Sequence, residues 1–509
     1  MANESRVKKT LLNARVNLIF YFLTLALSFF SRKIFLDILG ADFVGLTGTL
    51  QNLLSFLNIV ELGVGTAVGY VLYKPLFEQN QQKINEIISV FGYMYRWVGR
   101  IILVAGIILS LFLPLIFPDT RFDLSIIYLI FYAFLASSLI GYFINYRQTL
   151  LSADQKNYLV TAYFQTGNIV KVILQMISAY YTGSYYLWIA IEFIFGIIYS
   201  FILNWKINQV YPWLKSEICE GKALLKKYPE IIKLTKQVFV HKIASVVQFQ
   251  TTPFLIYAFV SLQTVAFYGN YTLITDKLKV LLGNFLDSTA AGIGNLIAEG
   301  NKEKIIKTYW ELIAVRFFFI GVIVFSLYHL LPPFISLWLG ESYILSPTVL
   351  NCVLFIFSLN TIRGTTDQFI SGYGLYHDIW APATETVIYI VVALLGGYLW
   401  QLEGVLLGSI VSLIIVVYFW KPYFLFTRGF KITVGIYWKE FAKFCFISAF
   451  TFILFKTIVK PQYSYPIDKN WGTFLLYALF VGMSLGMLQF GLLYVGSKGM
   501  KNVVKRFIK

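Results

Sequence analysis

Apolar runs of about 20 residues recur along the whole chain, and that length is what a helix needs to cross a hydrocarbon core roughly 30 Å thick at about 1.5 Å per residue. The bilayer interior offers no water to backbone groups, so spanning elements are helices or strands of a closed barrel. Barrel strands show only short alternating segments of about 10 residues. The runs here are continuous, and the expected fold is an all-α polytopic membrane protein. Composition agrees: 58% of the 509 residues are hydrophobic and 13% charged, a balance that a soluble core of this size does not require.

Fourteen spans are expected near 16–36, 46–72, 87–116, 124–146, 158–181, 185–204, 238–260, 265–291, 308–331, 347–370, 381–400, 404–426, 440–459 and 472–495. The opening "MANESRVKKTLLNARVNLIFYFLTLALSFF" continues into "SRKIFLDILG" without a small-residue cleavage site, so it reads as a retained span and not a signal peptide. With the N-terminus inside, the cytoplasmic segments hold 27 Lys and Arg. The other side holds Arg121, Lys460 and Lys469, with Arg32 and Lys33 near the end of the first span. The positive-inside rule then puts both termini in the cytoplasm. The same distribution explains the net charge of +17 without a nucleic-acid partner. Segment 205–237, with "GKALLKKYPEIIKLTKQ", reads as an interfacial or solvated helix.

The sequence repeats weakly on itself at an offset of 221: "VGLTG" (44–48) falls over "VAFYG" (265–269), and "EQNQQKI" (78–84) over "EGNKEKI" (299–305). An even number of spans separates the copies, so spans 1–6 and 7–12 are expected to be parallel repeats about an axis along the membrane normal. The expected organisation is an N-lobe at 1–204, a cytoplasmic linker at 205–237, a C-lobe at 238–426, and two appended spans with a basic tail at 427–509. Two facing halves that rock about a midplane cavity make a transporter layout.

Charges inside the spans are costly and mark function. In "TLITDKLKVLLGNFLDS" (272–288), Asp276, Lys279, Gly283 and Asp287 share one face at helical spacing, with Lys277 just off it. A salt-bridge cluster and a hydrated, charge-lined cavity are both open to these residues. Further intramembrane cations are Arg32, Arg96, Arg100, Lys171, Lys242, Arg316, Arg363, Lys443 and Lys456, against the acids Glu61, Glu192, Glu311, Asp367 and Glu385. Arg96, Arg100, Lys443 and Lys456 lie where interfacial anchors also would. The excess of bases predicts a cavity that attracts anions, with Arg suited to phosphate oxygens. Glycines in "GTAVG" (65–69), "GVLLG" (404–408) and "GMSLG" (482–486) have the spacing for close helix packing. The cysteines Cys219, Cys352 and Cys445 and the histidines His241, His329 and His377 are scattered and suggest neither a metal site nor a disulfide framework. GxxxxGK[ST] and HExxH are both missing from the sequence, so neither an ATPase nor a zinc protease site is indicated.

The stretch "RKIFLDILGADFVGLTGTLQNLLSFLNIVELGVGTAVGYVLYKPL", with Arg32, Leu39-Gly40, Gly45, Glu61-Leu62-Gly63 and Tyr73-Lys74-Pro75-Leu76, resembles the opening of the O-antigen-type, Wzx-like polysaccharide flippases. These belong to the multidrug/oligosaccharidyl-lipid/polysaccharide exporter (MOP) superfamily. "FISLWLGESYIL" (334–345), "SGYGLYHD" (371–378) and "EGVLLGSIVS" (403–412) continue the likeness over roughly 30–430. The chain departs from the family pattern at Glu385–Tyr389 and at "GSIVS". The resemblance implies two six-helix lobes in a V, MurJ/MATE-like, with spans 1, 2, 7 and 8 lining the cavity and two C-terminal spans that could groove a lipid tail. The implied substrate is a polyprenyl-diphosphate-linked oligosaccharide, moved across a bacterial cytoplasmic membrane in partnership with membrane lipids and polysaccharide polymerase or assembly proteins.

On this reading Arg32, Lys171, Lys277, Lys279 and Arg363 are expected to bind substrate, and Glu61, Asp276, Asp287, Asp367 and Glu385 to gate or to couple an H+ or Na+ gradient. No metal or other cofactor is expected. With the interior negative by 100 mV, expelling a dianion would gain on the order of 4 to 5 kcal/mol if no compensating charge moved. The alternatives are a cation-coupled multidrug exporter of the same superfamily, whose site would favour acids, and a membrane glycosyltransferase or polymerase, for which the external loops are short.

Overall fold

A computed structural model describes the chain except residues 1–5, 62, 119, 287–288, 376–377, 379, 460–469 and 509; at 6–11, 60, 237, 240–246, 248–249, 290–291 and 507–508 it describes the backbone alone. The described residues are helical, without strands, and fall into two compact units. The first holds residues up to 257 together with Ser261–Ala266. Its helices are α1 Arg6–Ile38, α2 Ala41–Leu57, α3 Val64–Phe77, α4 Gln81–Leu111, α5 Leu124–Ile144, α6 Asn157–Thr182, α7 Tyr185–Val210, the short α8 Gly221–Lys227 and most of α9 Pro229–Phe259. The second unit carries most of α10 Leu262–Leu286, then α11 Ala290–Glu299, α12 Lys302–Trp338, α13 Pro347–Gly372, α14 Trp380–Phe430, α15 Gly435–Val459, α16 Trp471–Gly496 and α17 Lys498–Ile508.

Nine helical segments among the described residues are long and apolar enough to cross a membrane. One of them, α14, carries two expected spans, reversed at Trp400 and Gln401, whose backbone is non-helical. The chain is thus a multi-pass membrane protein. The four expected spans outside these segments are 46–72, 158–181, 238–260 and 265–291, and the reason is polarity or interruption. The second span is split into α2 and α3 by a tight turn at Asn58–Glu61. The eighth is carried by α10 and α11, and Asp287 lies outside the described residues. The other two run unbroken as α6 and α9 but carry Gln165, Lys171 and Gln175, and Gln250, Thr251 and Thr252.

The 221-residue repeat is visible in local structure. Helices α2 and α10 start 221 residues apart, as do α4 and α12. Asn80 and Asn301 are their counterpart N-caps: each side chain accepts a hydrogen bond from a backbone N–H three residues on, at Lys83 and Lys304, both at 3.0 Å. The same lysines reach back to Glu78 (3.9 Å) and Glu299 (2.6 Å), and Ile84 and Ile305 are both buried. Replacing Asn80 or Asn301 by Ala is expected to cost about 1 kcal/mol each. A lowered midpoint of thermal unfolding in detergent is the readout, and an unchanged midpoint would show the cap to be idle.

Segment 211–228 is strapped along α4. Lys215 N–H donates to Asn85 Oδ1 (3.0 Å), Glu217 N–H to Ser89 Oγ (2.8 Å), and Lys227 Nζ and Tyr228 O–H both donate to Glu86 Oε2 at 2.6 Å. Tyr211 opens the strap by donating to Asp154 Oδ2 (2.7 Å), and burial followed by the Asp154 carboxylate hold its phenol above the ordinary range. At the C-terminus α17 seats Met500 and Gly499 on α12, and Arg506 pairs with the buried Glu311 at 2.7 Å. The core of the second unit is aromatic: Phe369, Phe426 and Phe430 meet Tyr309 edge-on, while Trp310 stacks on Tyr437 and Phe444.

Candidate functional site

The polar residues of the first unit gather where α1, α2, α6 and α7 meet. A cavity of about 250 Å³ there is lined by Arg32 from α1, Thr47 and Gln51 from α2, Lys171 and Gln175 from α6, and Glu192 from α7. Phe35, Phe43, Phe134 and Trp188 wall it, with Trp188 edge-on to Phe35 and Phe43. Arg32 and Lys171 are therefore brought to one cavity from helices far apart in sequence. Arg32 Nη2 donates to the carbonyl of Ala266 (2.7 Å) in the first turn of α10. Lys171 Nζ lies 2.8 Å from Glu192 Oε1, and Gln175 Nε2 donates to Glu192 Oε2 (3.0 Å) and to the Trp188 carbonyl (3.3 Å). Both charged side chains are mostly buried, so the pair satisfies two groups whose charges are costly in hydrocarbon.

The same first turn of α10 sits close against α2. A Cβ on Gly45 would lie 2.0 Å from the Leu262 carbonyl oxygen, so backbone meets backbone at a distance only glycine permits. Gln263 Nε2 reaches Asp42 Oδ2 at 3.5 Å, and Asp42 in turn pairs with Arg121 at 2.7 Å.

Glu61 closes the turn between α2 and α3. Tyr95 O–H donates to Glu61 Oε1, Tyr142 O–H lies 2.7 Å from Oε2, and Tyr142 and Ser138 both approach Asn58 Oδ1 at 3.0 and 3.2 Å. Among the described residues no cation pairs with Glu61; phenols take that place.

In the second unit a chain of charges crosses α13 and α14. Arg363 Nε donates to Asp367 Oδ2 (3.0 Å) and Arg363 Nη1 lies 3.7 Å from Glu385 Oε1. Lys421 Nζ is 2.6 Å from Asp367 Oδ1. On α10, Asp276, Lys277 and Lys279 lie within one turn of the same helix. Beside this chain, Arg316 is buried between α12 and α13, donating to Thr365 Oγ1 (2.6 Å) and the Thr361 carbonyl (2.9 Å) and lying over Gly364. An apolar cavity of about 650 Å³ lies between α12, α13 and α15, with Phe317, Val324, Phe325, Leu354, Phe355 and Phe452 in its walls.

Of the sequence-derived candidates, Arg32 and Lys171 line one cavity in the first unit, and Arg363, Asp367 and Glu385 meet in the second. Glu61 stands apart with its tyrosines. The excess of bases is smaller in space than in sequence, because Lys171 and Arg363 each hold a carboxylate. Arg96, Arg100, Lys443 and Lys456 are exposed on helix surfaces, as anchors are. Lys421 is not among the sequence candidates because it falls near the end of the expected span 404–426, where a lysine reads as an ordinary cytoplasmic anchor; the helix runs on through Phe430, and Lys421 turns inward to Asp367. Its place at the end of the long run "SLIIVVYFW" followed by a single lysine was the available signal.

No family model and no curated protein matches this chain. Solved structures do. A structure of the lipid II flippase MurJ in an inward closed conformation matches with a TM-score of 0.66 and 16% identity, covering 94% of this chain and 98% of that one. An inward-facing multidrug resistance MATE family transporter of the MOP superfamily matches at 0.59 and 14% identity, covering 80% of this chain and 97% of that one. A further MATE structure in a bent conformation matches at 0.51 and 13% identity, covering 84% and 97%. The all-α fold is thus shared with MurJ and MATE transporters.

Proposed function

We propose that the protein is a flippase that carries a polyprenyl-diphosphate-linked oligosaccharide from the cytoplasmic to the outer leaflet of a bacterial cytoplasmic membrane by alternating access. A diphosphate bearing a polar glycan cannot cross hydrocarbon unaided, because stripping its hydration costs many kcal/mol. The observation that carries the reading is the gathering of Arg32 and Lys171 at one cavity, on polar helices inside the apolar bundle. Such clusters offer fixed positive charge to phosphate oxygens. The fold shared with MurJ and MATE transporters supports a transport role, and the apolar cavity beside α15 suits a prenyl chain.

Glu61, Asp276, Asp367 and Glu385 are the acids proposed to couple transport to H+ or Na+, and the membrane potential adds its own outward drive on an anion. Polysaccharide polymerase or assembly proteins are the proposed partners, and both termini are proposed to lie in the cytoplasm. A cation-exporting reading is favoured by one observation: the Glu61 carboxylate faces two phenols with no described cation beside it.

The test is reconstitution in vesicles. Lipid-linked sugar is expected to become accessible on the far leaflet, faster with a pH or sodium gradient if an ion is coupled. A protein that exports a cationic dye but leaves the lipid-linked sugar in place would overturn the flippase reading.

A further inference from the structure

We infer that Glu192 is an internal stand-in for the substrate's anionic group: in the empty cavity its carboxylate occupies the Lys171 ammonium, and a phosphate oxygen takes its place when substrate enters. The inference rests on the flippase reading and makes Glu192 the residue that sets how tightly the first unit holds a diphosphate.

Three features argue for it. The Lys171–Glu192 contact at 2.8 Å is a full ion pair, with side chains 19% and 15% exposed, and it borders the cavity that also takes Arg32. A carboxylate oxygen and a phosphate oxygen accept the same hydrogen bonds from an ammonium, so each can replace the other at Lys171. Gln175, fully buried, holds the second Glu192 oxygen from the same helix as Lys171, so the carboxylate is presented to the ammonium in a fixed orientation.

The consequence is one of balance. A transporter's site must release what it binds. If Lys171 stood in the cavity with only Arg32, two desolvated cations would grip a diphosphate at full strength, and the empty state would carry an uncompensated charge. With Glu192 in place, binding exchanges one ion pair for another, and the net affinity is their difference. A pair serving only to tie α6 to α7 would have no such effect on ligand affinity.

The test is calorimetric titration of a short-chain prenyl diphosphate, and in parallel inorganic pyrophosphate, into the full-length protein in detergent. Glu192→Gln is expected to bind the prenyl diphosphate about tenfold tighter than wild type, a change of about 1.4 kcal/mol, and to flip lipid-linked sugar more slowly in vesicles. Glu192→Asp, which lengthens the pair, is expected to fall between, and serves if the glutamine variant does not fold. Lys171→Gln/Glu192→Gln is expected to return close to wild-type affinity. Equal or weaker binding by the Glu192 variants, with wild type binding well, overturns the inference and leaves the flippase reading standing. A wild-type protein that binds neither probe overturns both, whereas pyrophosphate binding that ignores Glu192 while prenyl diphosphate binding responds confines the exchange to the lipid-linked form.

Discussion

Arg363→Ala is expected to destabilise the second unit by about 3 to 5 kcal/mol and to abolish outward display of the glycan. The guanidinium holds Asp367 at 3.0 Å and Glu385 at 3.7 Å, and Glu385 is 10% exposed at its side chain. Removing the cation leaves two carboxylates facing each other in a poorly hydrated place, with only Lys421 to answer one of them. Structural and transport roles separate in the double variant Arg363→Gln/Glu385→Gln, which removes the guanidinium with one of its carboxylates and leaves Asp367 paired with Lys421. Its thermal midpoint in detergent is expected to recover most of the loss while flipping in vesicles stays absent. Normal flipping by the double variant would make Arg363 a structural cation and nothing more.

Gly45→Val is the second large effect expected. The new Cβ would meet a carbonyl oxygen at 2.0 Å, and that oxygen belongs to backbone that no rotamer change can move. Overpacking of this kind costs about 1 to 3 kcal/mol, which shifts a two-state equilibrium by roughly 5- to 150-fold. The state lost is the one in which the first turn of α10 rests on α2. Leu262 is 6% exposed there, so a cysteine at 262, in a chain with Cys219, Cys352 and Cys445 replaced, reports the opening. An impermeant maleimide added outside is expected to label Gly45→Val about fivefold faster or more. An unchanged labelling rate would mean that the Gly45–Leu262 approach does not hold the first turn of α10 on α2.

The class of fold was legible from run length alone, and the repeat from seven-residue echoes, because Asn caps and the ion pairs around them are local and so leave local patterns. Arg363–Asp367 was legible for the same reason: four residues apart on one helix, they share a face. What escaped were partners from different helices. Lys171 and Glu192 are 21 residues apart, Glu61 and its tyrosines 34 and 81, and Asp367 and Lys421 54. No periodicity links such positions, and a count of bases against acids along the chain overstated the free positive charge that packing leaves. The break in the second span also escaped, since hydropathy averages across a turn of a few residues.

The reversal inside α14 has a mechanical consequence. A Cβ on Gly404 would lie 1.8 Å from the Gly396 carbonyl oxygen, and one on Gly408 2.6 Å from Ala393 Cβ. The two arms therefore touch along their spines with almost no side chain between them and no free loop at the bend. Sliding one arm past the other would drive peptide against peptide, so the pair travels as a single stiff plank. An epitope inserted at Trp400–Gln401 to map sidedness would pry that plank apart, and its failure to report would say nothing about which compartment the bend faces.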